Sequence, residues 1–458
     1  MSRRNDRHLT QQQLGELIDA GEIDTVVTAF TDMQGRLQGK RFHARHFLDH
    51  VSAGGTEGCD YLLAVDVDMN TVDGYSSSGW DKGYGDMEFV IDWDTARRVA
   101  HQPATAMVQC DLAWPDRRPV AASPRGILRQ QLDRLAEHGW KAYAGTELEF
   151  IVFENSYEDA HDRGYHGLTP ANQYNVDYSL LGTARVEPLL RELRNRLYDS
   201  GLNVESAKGE CNLGQHEIGF LYDEALATAD NHAFYKTAAK EIAAQHGKSL
   251  TFMAKYDERE GSSCHIHLSL RGADGSLVFT DADRRDADGR SVLYEKFVAG
   301  VLATAAEFTL LYAPNINSYK RFADGSFAPT TIGWGQDNRT CAVRLVGHGA
   351  AARMELRVPG ADVNPYLALA AMIAGGLHGI EEDLPLPPPV EGNAYLSDLP
   401  KVPGTLAAAR DVFRSSKVAR AALGDEVVDH YTNMADVELA AFGAAVTDWE
   451  RRRGFERL

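Results

Sequence analysis

Ser262-Ser-Cys-His-Ile-His-Leu-Ser-Leu270 carries two histidines, His265 and His267, alternating with Cys264, Ile266 and Leu268. Successive side chains of an extended strand point to opposite faces. The spacing therefore predicts a strand over 263–270 with both imidazoles on one face. Imidazole is a common metal ligand and a general acid–base group. Taken alone, the pair is equally a polar stripe on the wet face of a half-buried strand. Two further segments repeat the alternation with carboxylates, and they decide how this one is read.

In Gly145-Thr-Glu-Leu-Glu-Phe150, Glu147 and Glu149 share one face of a strand expected over 142–153. Phe150, Ile151, Val152 and Phe153 are apolar on both parities, which indicates burial on both faces rather than a solvent-facing edge. Two carboxylates there repel and are costly to ionise without a cation. Ala352-Arg-Met-Glu-Leu-Arg-Val358 puts Arg353, Glu355 and Arg357 opposite Met354, Leu356 and Val358. A surface strand with cross-strand ion pairs has the same pattern. Glu210 and Glu217 flank Cys-Asn-Leu-Gly-Gln-His, a loop able to bring both to one point.

Together, Glu147, Glu149, Glu210, Glu217, Glu355 and His265 can form a carboxylate-rich centre with one imidazole. Hard oxygen donors suit Mg2+ or Mn2+ rather than zinc. Enough ligands for two ions implies a clamp for polyphosphate and phosphoryl transfer. Arg321, Arg339, Arg344, Arg353 and Arg357 crowd one stretch of an otherwise acidic chain. Guanidinium binds carboxylate and phosphate bidentately, so this half of the chain fits ATP and an acidic substrate better than a solvated basic patch. Gly247-Lys-Ser249 mimics the end of a P-loop, but Ile242 stands where its first glycine is needed. Asn338-Arg-Thr340 matches a glycosylation sequon, which is meaningless in a cytosolic chain.

The chain has 458 residues, enough for two or three domains, and a net charge of −19. An acidic surface argues against nucleic-acid binding and polybasic membrane contact. Basic residues in Met1–His8 are not followed by an apolar segment, so no signal peptide is expected. The run Leu367–Ile380 is too short to span a bilayer. Five scattered cysteines, none in a Cys-x-x-Cys, fit a reducing cytosol and no cysteine zinc site. The expectation is a cytoplasmic enzyme.

A helix over 9–20, capped by Thr10 and Gly21, opens a mainly β module with strands over 26–30, 36–42, 61–67, 87–93 and 106–112. Within it, 70–86 is an aperiodic Gly/Ser/Asp/Tyr/Trp-rich loop of a length that is usually functional. Trp114–Pro124 reads as a linker, and Ser123 and Pro124 open a helix to about His138. Beyond it, helices are expected over 186–200, 230–245, 291–311 and 364–380. Strands are expected over 142–153, 218–221, 250–253, 263–270, 340–346 and 353–358. The fold class is α+β with mainly antiparallel strands, divided into domains 1–118 and 123–458.

These motifs resemble the glutamine synthetase superfamily over nearly the whole chain. The resemblance rests on the Trp80 loop, Gly145–Phe150, Gly214-Gln-His-Glu217, Cys264–Ser269, Asn317-Ser-Tyr-Lys-Arg321, Asn338-Arg339, Arg353–Arg357 and Asn364-Pro-Tyr366. It implies an N-terminal β-grasp domain, a catalytic domain with a curved, mainly antiparallel sheet, and a homo-oligomeric ring, often a dodecamer, with active sites between subunits. It implies one metal on Glu149, Glu210 and Glu217 and a second on Glu147, His265 and Glu355. His267, Ser269, Arg353 and Tyr222 would contact the nucleotide. Arg321, Glu260 and the Gly261 backbone would meet glutamate. Arg339, Arg344 and Arg357 would meet the transferred phosphate and substrate carboxylate. The implied chemistry phosphorylates the γ-carboxylate of glutamate from ATP, then lets an amine displace phosphate.

Three positions depart from the ammonium-using members. Their flap carries a glutamate that helps accept the proton of ammonium, whereas Asp324-Gly-Ser-Phe-Ala-Pro329 puts Phe327 there. Asp73-Gly-Tyr-Ser-Ser-Ser78 aligns with the ammonium-site loop by spacing, with Asp73 and Ser76 in the ammonium positions. Glu260 replaces a usual asparagine. These departures imply an amine larger than ammonium, and the pattern resembles actinobacterial-type glutamate–amine ligases, ethanolamine-using members best and polyamine-using members next. Ordinary glutamine synthesis and a catalytically inactive nitrogen regulator are the alternatives. Tyr395 lies near a position adenylylated in some members, but Asn393–Leu399 is out of register with it.

Overall fold

The computed structural model describes residues 8–281, 283–284 and 289–458. Residues 1–7, most of the basic N-terminal stretch, lie outside them. Strands β1 (Thr25–Thr31), β2 (Leu37–His43), β3 (Thr56–Cys59), β4 (Asp86–Arg98) and β5 (Thr105–Ala113) form one sheet in the order β2-β1-β5-β4-β3. Only β1 and β5 run parallel. Helix Gln11–Asp19 starts in a capping box between Thr10 and Gln13 and buries Leu14 and Ile18 against Val26, Phe47 and Val108.

The segment 61–67 is not a strand. Asp60–Leu63 makes one 3-10 turn, after which the chain is irregular. The buried Asp60 carboxylate accepts from Ser78 Oγ at 2.6 Å and Gly85 N at 3.1 Å. It thereby ties down the 70–86 loop, and the apolar Leu63, Ala64 and Val65 are buried with no more β pairing than a single bridge from Val65 to Thr71. Local pattern loses here to a long-range polar anchor.

The second sheet is built on β6 (Trp140–Phe153), a 14-residue strand. With β7 (Val204–Gly209), β8 (Gln215–Phe220), β11 (Cys264–Gly272), β12 (Trp334–Gln336), β13 (Val343–Val346) and β14 (Arg353–Leu356) it runs β12-β13-β14-β11-β6-β8-β7. Two short strands, β9 (Asp223–Glu224) and β10 (Ser249–Thr251), also pair with β6. All pairs but β12–β13 are antiparallel. The curled sheet is backed by helices Pro124–Glu137 and Ala225–Gln245, and helix Pro365–Glu381 packs on both. Helix Val292–Thr304 lies against Pro365–Glu381 so closely that a Cβ on Gly300 would stand 2.1 Å from Gly375 O.

The helix expected over 291–311 stops at Thr304 and resumes at Thr309–Tyr312. Thr304 and Thr309 hydroxyls bond back to the Gly300 and Ala305 carbonyls, a geometry that bends helices. Ser123 occupies the N-cap of Pro124–Glu137 without a side-chain cap bond. One hydrophobic core runs through both parts of the chain, from Phe30, Phe89 and Leu112 to Leu128, Phe150 and Leu369. Buried Arg125 joins Asp92 and Asp111 of the first sheet to Asp230 of helix Ala225–Gln245 at 2.6–2.9 Å. Among the described residues no helix is long and apolar enough to cross a membrane.

Candidate active site

Strand register assembles the centre. β11 against β6 pairs His265 with Glu147, and β11 against β14 pairs His267 with Glu355. β6 against β8 pairs Glu149 with Glu217, and β7 against β8 pairs Lys208 with Glu217. β13 against β14 pairs Arg344 with Glu355. Two three-residue groups result, Glu149–Glu210–Glu217 and Glu147–His265–Glu355, each with ligand atoms within 4.8 Å of one another.

Two cavities meet at this centre. One, of about 360 Å3, is lined by Tyr222, His267, Ser269 and Arg353. The other, of about 250 Å3, is lined by Glu260, Gly261, Arg321, Phe327, Arg339, Arg344 and Arg357. Glu147 and Glu217 belong to the walls of both. The sequence groups assigned to nucleotide and to acidic substrate are thus sorted into separate chambers with carboxylates between them.

The Glu147–His265–Glu355 group is surrounded by fixed donors. His265 Nδ1 lies 3.2 Å from Glu147 and 3.6 Å from Glu355. His267 Nε2 lies 2.8 Å from Glu147, while Arg353 Nε donates to His267 Nδ1 at 3.2 Å. Since guanidinium only donates, His267 Nδ1 is the acceptor and Nε2 carries the proton toward Glu147. Glu355, wholly buried, pairs with Arg344 Nη1 at 2.9 Å and with Arg357. Burial opposes ionisation of Glu147, but the hydrogen bonds from His265 and His267 outweigh it and hold its carboxyl well below the usual range. Glu355 is likewise held down, burial being overcome by His265 and Arg357. Burial, then Arg357, lowers His265 against the pull of Glu147 and Glu355.

The Glu149–Glu210–Glu217 group is balanced differently. Glu149 accepts from Ser263 N at 2.7 Å, Ser263 Oγ at 2.5 Å and Gln215 Nε2 at 3.0 Å. Burial pushes the Glu217 carboxyl up to about 8, with Lys208 pulling down and Glu147 and Glu149 pushing up. A further cation would favour the ionised form of such a carboxyl, and oxygen donors of this kind suit Mg2+ or Mn2+.

On the substrate side, Gly261 has no room for a side chain, because a Cβ would meet Ala254 O at 2.5 Å and Arg321 Cγ at 2.7 Å. Arg321 is buried and donates to Val358 O and Arg357 O at 2.7 and 2.9 Å. Arg357 Nε is buried with no partner. Arg344 also pairs with Asp337 at the rim, and the Glu260 carbonyl accepts from Asn212 at 2.7 Å. Phe327, at the chamber wall, has φ +59° and is 57% exposed. Tyr395 donates from its half-buried hydroxyl to Ala328 O at 3.1 Å, holding the flap.

Asp73 is not brought to this centre in its own chain. Its carbonyl accepts from Asn433 of helix Asp425–Ala444 at 3.0 Å, and it lines neither chamber. Tyr75 and Ser78 anchor the loop inward, while Trp80 is 76% exposed. Sequence reasoning also missed Lys208, Asp177 and Tyr178, which line the smaller chamber. No local signal marks Lys208: β7 ends at Gly209, and only its register with β8 sets Lys208 against Glu217.

A mixed α+β fold with this divided, carboxylate-centred cavity defines the class. Residues 121–454 match the glutamine synthetase catalytic domain, and the chain belongs to the glutamine synthetase family. It is 64% identical over 447 residues to the gamma-glutamylethanolamide synthetase GlnA4 of Streptomyces coelicolor, covering 98% of this chain and 96% of that protein. It is 37% identical over 459 residues to a glutamate–isopropylamine ligase of a Pseudomonas species, covering 99% of each. Its backbone matches a GmaS/ADP complex with a TM-score of 0.84 at 26% identity, covering 97% of this chain and 99% of that one.

Proposed function

We propose that this chain is an ATP-dependent glutamate–amine ligase that joins the γ-carboxylate of L-glutamate to a primary amine, with ethanolamine preferred. The observation that carries this reading is the pair of chambers meeting at Glu147 and Glu217. The larger would take ATP through Tyr222, His267, Ser269 and Arg353. The smaller would take glutamate between Gly261, Glu260 and Arg321. Glu149, Glu210 and Glu217 would hold one Mg2+ or Mn2+, and Glu147, His265 and Glu355 another. Such ions would neutralise charge on the phosphates when bound.

The γ-carboxylate oxygen attacks the γ-phosphorus of ATP, the bond to the β-phosphate oxygen breaks, and ADP leaves. Arg339, Arg344 and Arg357 face the charge that develops on the transferred group; the unpartnered Arg357 Nε supports this role. The amine nitrogen then attacks the γ-carbonyl carbon, the bond to the phosphate oxygen breaks, and the amine loses a proton. Phe327 cannot accept that proton and instead offers an apolar wall to a carbon-bearing amine. Asp73 of a neighbouring subunit is the acceptor in this reading. Its distance from the chambers of its own chain, and the exposed Trp80, Trp449 and Phe455, support a homo-oligomeric ring, a dodecamer by resemblance, with shared sites. Residues 1–118 form its β-grasp domain, 123–458 its catalytic domain, and free cysteines fit a cytoplasmic setting.

Phosphate release with glutamate, ATP and a panel of ammonium, ethanolamine, isopropylamine and polyamines tests this. Ethanolamine is expected to give the highest kcat/KM. Turnover with ammonium matching or exceeding every amine overturns the reading.

A further inference from the structure

Lys208 projects from β7 into the smaller chamber. Its ammonium is ion-paired to Glu210, lies 3.6 Å from Glu217, and sits 5.1 Å from the centre of the Tyr178 ring. It is the only cation ion-paired to the Glu149–Glu210–Glu217 group among the described residues. The cations at Glu355 are of another kind. Arg344 is also tied to Asp337, and Arg357 also donates to Phe327 O, so neither leaves easily. A lysine ammonium is a point charge on four flexible methylenes. Its aromatic neighbour offers a second resting place, since a π face attracts a cation.

We propose that Lys208 is a tethered counter-cation. It neutralises the Glu149–Glu210–Glu217 group in the ligand-free protein and must be displaced when a divalent ion enters. This rests on the metal reading of that group. The consequence is an inequality between the two groups: the one guarded by Lys208 binds divalent ions more weakly than its carboxylates alone would. The displaced ammonium stays in the smaller chamber, where a phosphate or carboxylate ligand can take it up. Divalent ion and anionic ligand then favour one another's binding, by the same factor in each direction.

The test is Mn2+ binding to the full-length protein without nucleotide, by calorimetry and by electron paramagnetic resonance of free Mn2+. Wild type, Lys208→Met and Lys208→Arg are compared. Removing the charge is expected to tighten one class of Mn2+ site at least about tenfold, the scale of a charged hydrogen bond, and Lys208→Arg to stay near wild type. With wild type, added inorganic phosphate is expected to tighten the same class, and with Lys208→Met to lose that effect. Superimposable titrations of wild type and Lys208→Met overturn the proposal while leaving the metal reading intact. So does Lys208→Arg behaving like Lys208→Met. No Mn2+ uptake by any of the three removes the metal reading and this proposal with it. Should Lys208→Met fail to fold, Lys208→Gln carries the same comparison.

Discussion

The centre of the large sheet and the 70–86 loop both present acidic side chains, and they do so by opposite means. In the sheet, backbone pairing sets the geometry: the strand register puts Glu147 across from His265 and Glu149 across from Glu217. In the loop, Asp73 owes its place to tertiary docking, through Asn433 on helix Asp425–Ala444 and Tyr75, whose ring lies tilted against His430 with centroids 4.4 Å apart. The sheet can complete two chambers within one chain; the loop adds nothing to either. Rigid scaffold and docked loop should therefore respond differently to mutation, acid and assembly.

The largest expected effect is in the sheet. Glu147→Gln removes a carboxylate that faces both chambers and accepts from His265 and His267. On the proposed reading kcat/KM falls about 10³-fold, the scale of losing a preorganised electrostatic partner. The variant should still melt cooperatively, and activity within a few-fold of wild type would remove Glu147 from the chemistry. The next effect is under the loop. Burial pushes His430 down to about 4, from the usual 6.5. Between those values the unfolded chain binds the proton and the folded one does not, so stability is full above pH 6.5 and is lost as pH falls toward 4. The loss attributable to His430 is about 3 kcal/mol. In urea melts across that window, His430→Phe should lose correspondingly less; an unchanged slope would clear His430 of the effect.

The same contrast separates what the sequence revealed from what it hid. Period-two alternation put Glu147 with Glu149, His265 with His267, and Arg353 with Glu355 and Arg357, because facing is a local property of a strand. Which strand lies beside which is decided by contacts far apart in sequence, so the pairings that gather the groups were out of reach. Lys208 was missed for that reason: Val204–Gly209 has little alternation, and only the register with β8 sets Lys208 against Glu217. The 61–67 stretch was misread because its apolar residues look like a strand, while Asp60 is held by Ser78 and Gly85. Of the positions assigned by family resemblance, most line the two chambers, whereas Asp73, Ser76 and the wholly buried Glu355 line neither.

Asp73→Asn tests the loop as a donor to another subunit. On the proposed reading it slows the amine-dependent step about 10²-fold, the contribution of a general base, without changing the KM for ATP. Co-assembled with Arg357→Ala subunits, it should regain activity, because some chambers then unite an intact Asp73 with an intact Arg357. If mixing recovers nothing while each variant still oligomerises, the loop does not serve a neighbour's chamber.

The smallest effect lies where scaffold and loop chemistry meet, at Phe327. Its φ of +59° is a conformation that costs any residue with a Cβ about 1–2 kcal/mol. The flap holds it there through Arg357 on the Phe327 carbonyl and Tyr395 on the Ala328 carbonyl. Phe327→Glu carries the same backbone penalty, so the pair differs in side-chain chemistry alone. Ammonium turnover should rise and ethanolamine turnover fall, moving their ratio about tenfold, the discrimination expected of a small apolar contact. Phe327→Gly is the control. It relieves the backbone and removes the wall, so it should gain stability and lose amine selectivity without gaining ammonium use. Were glycine to raise ammonium turnover as much as glutamate does, the flap's strain rather than its aromatic wall would be what selects the amine.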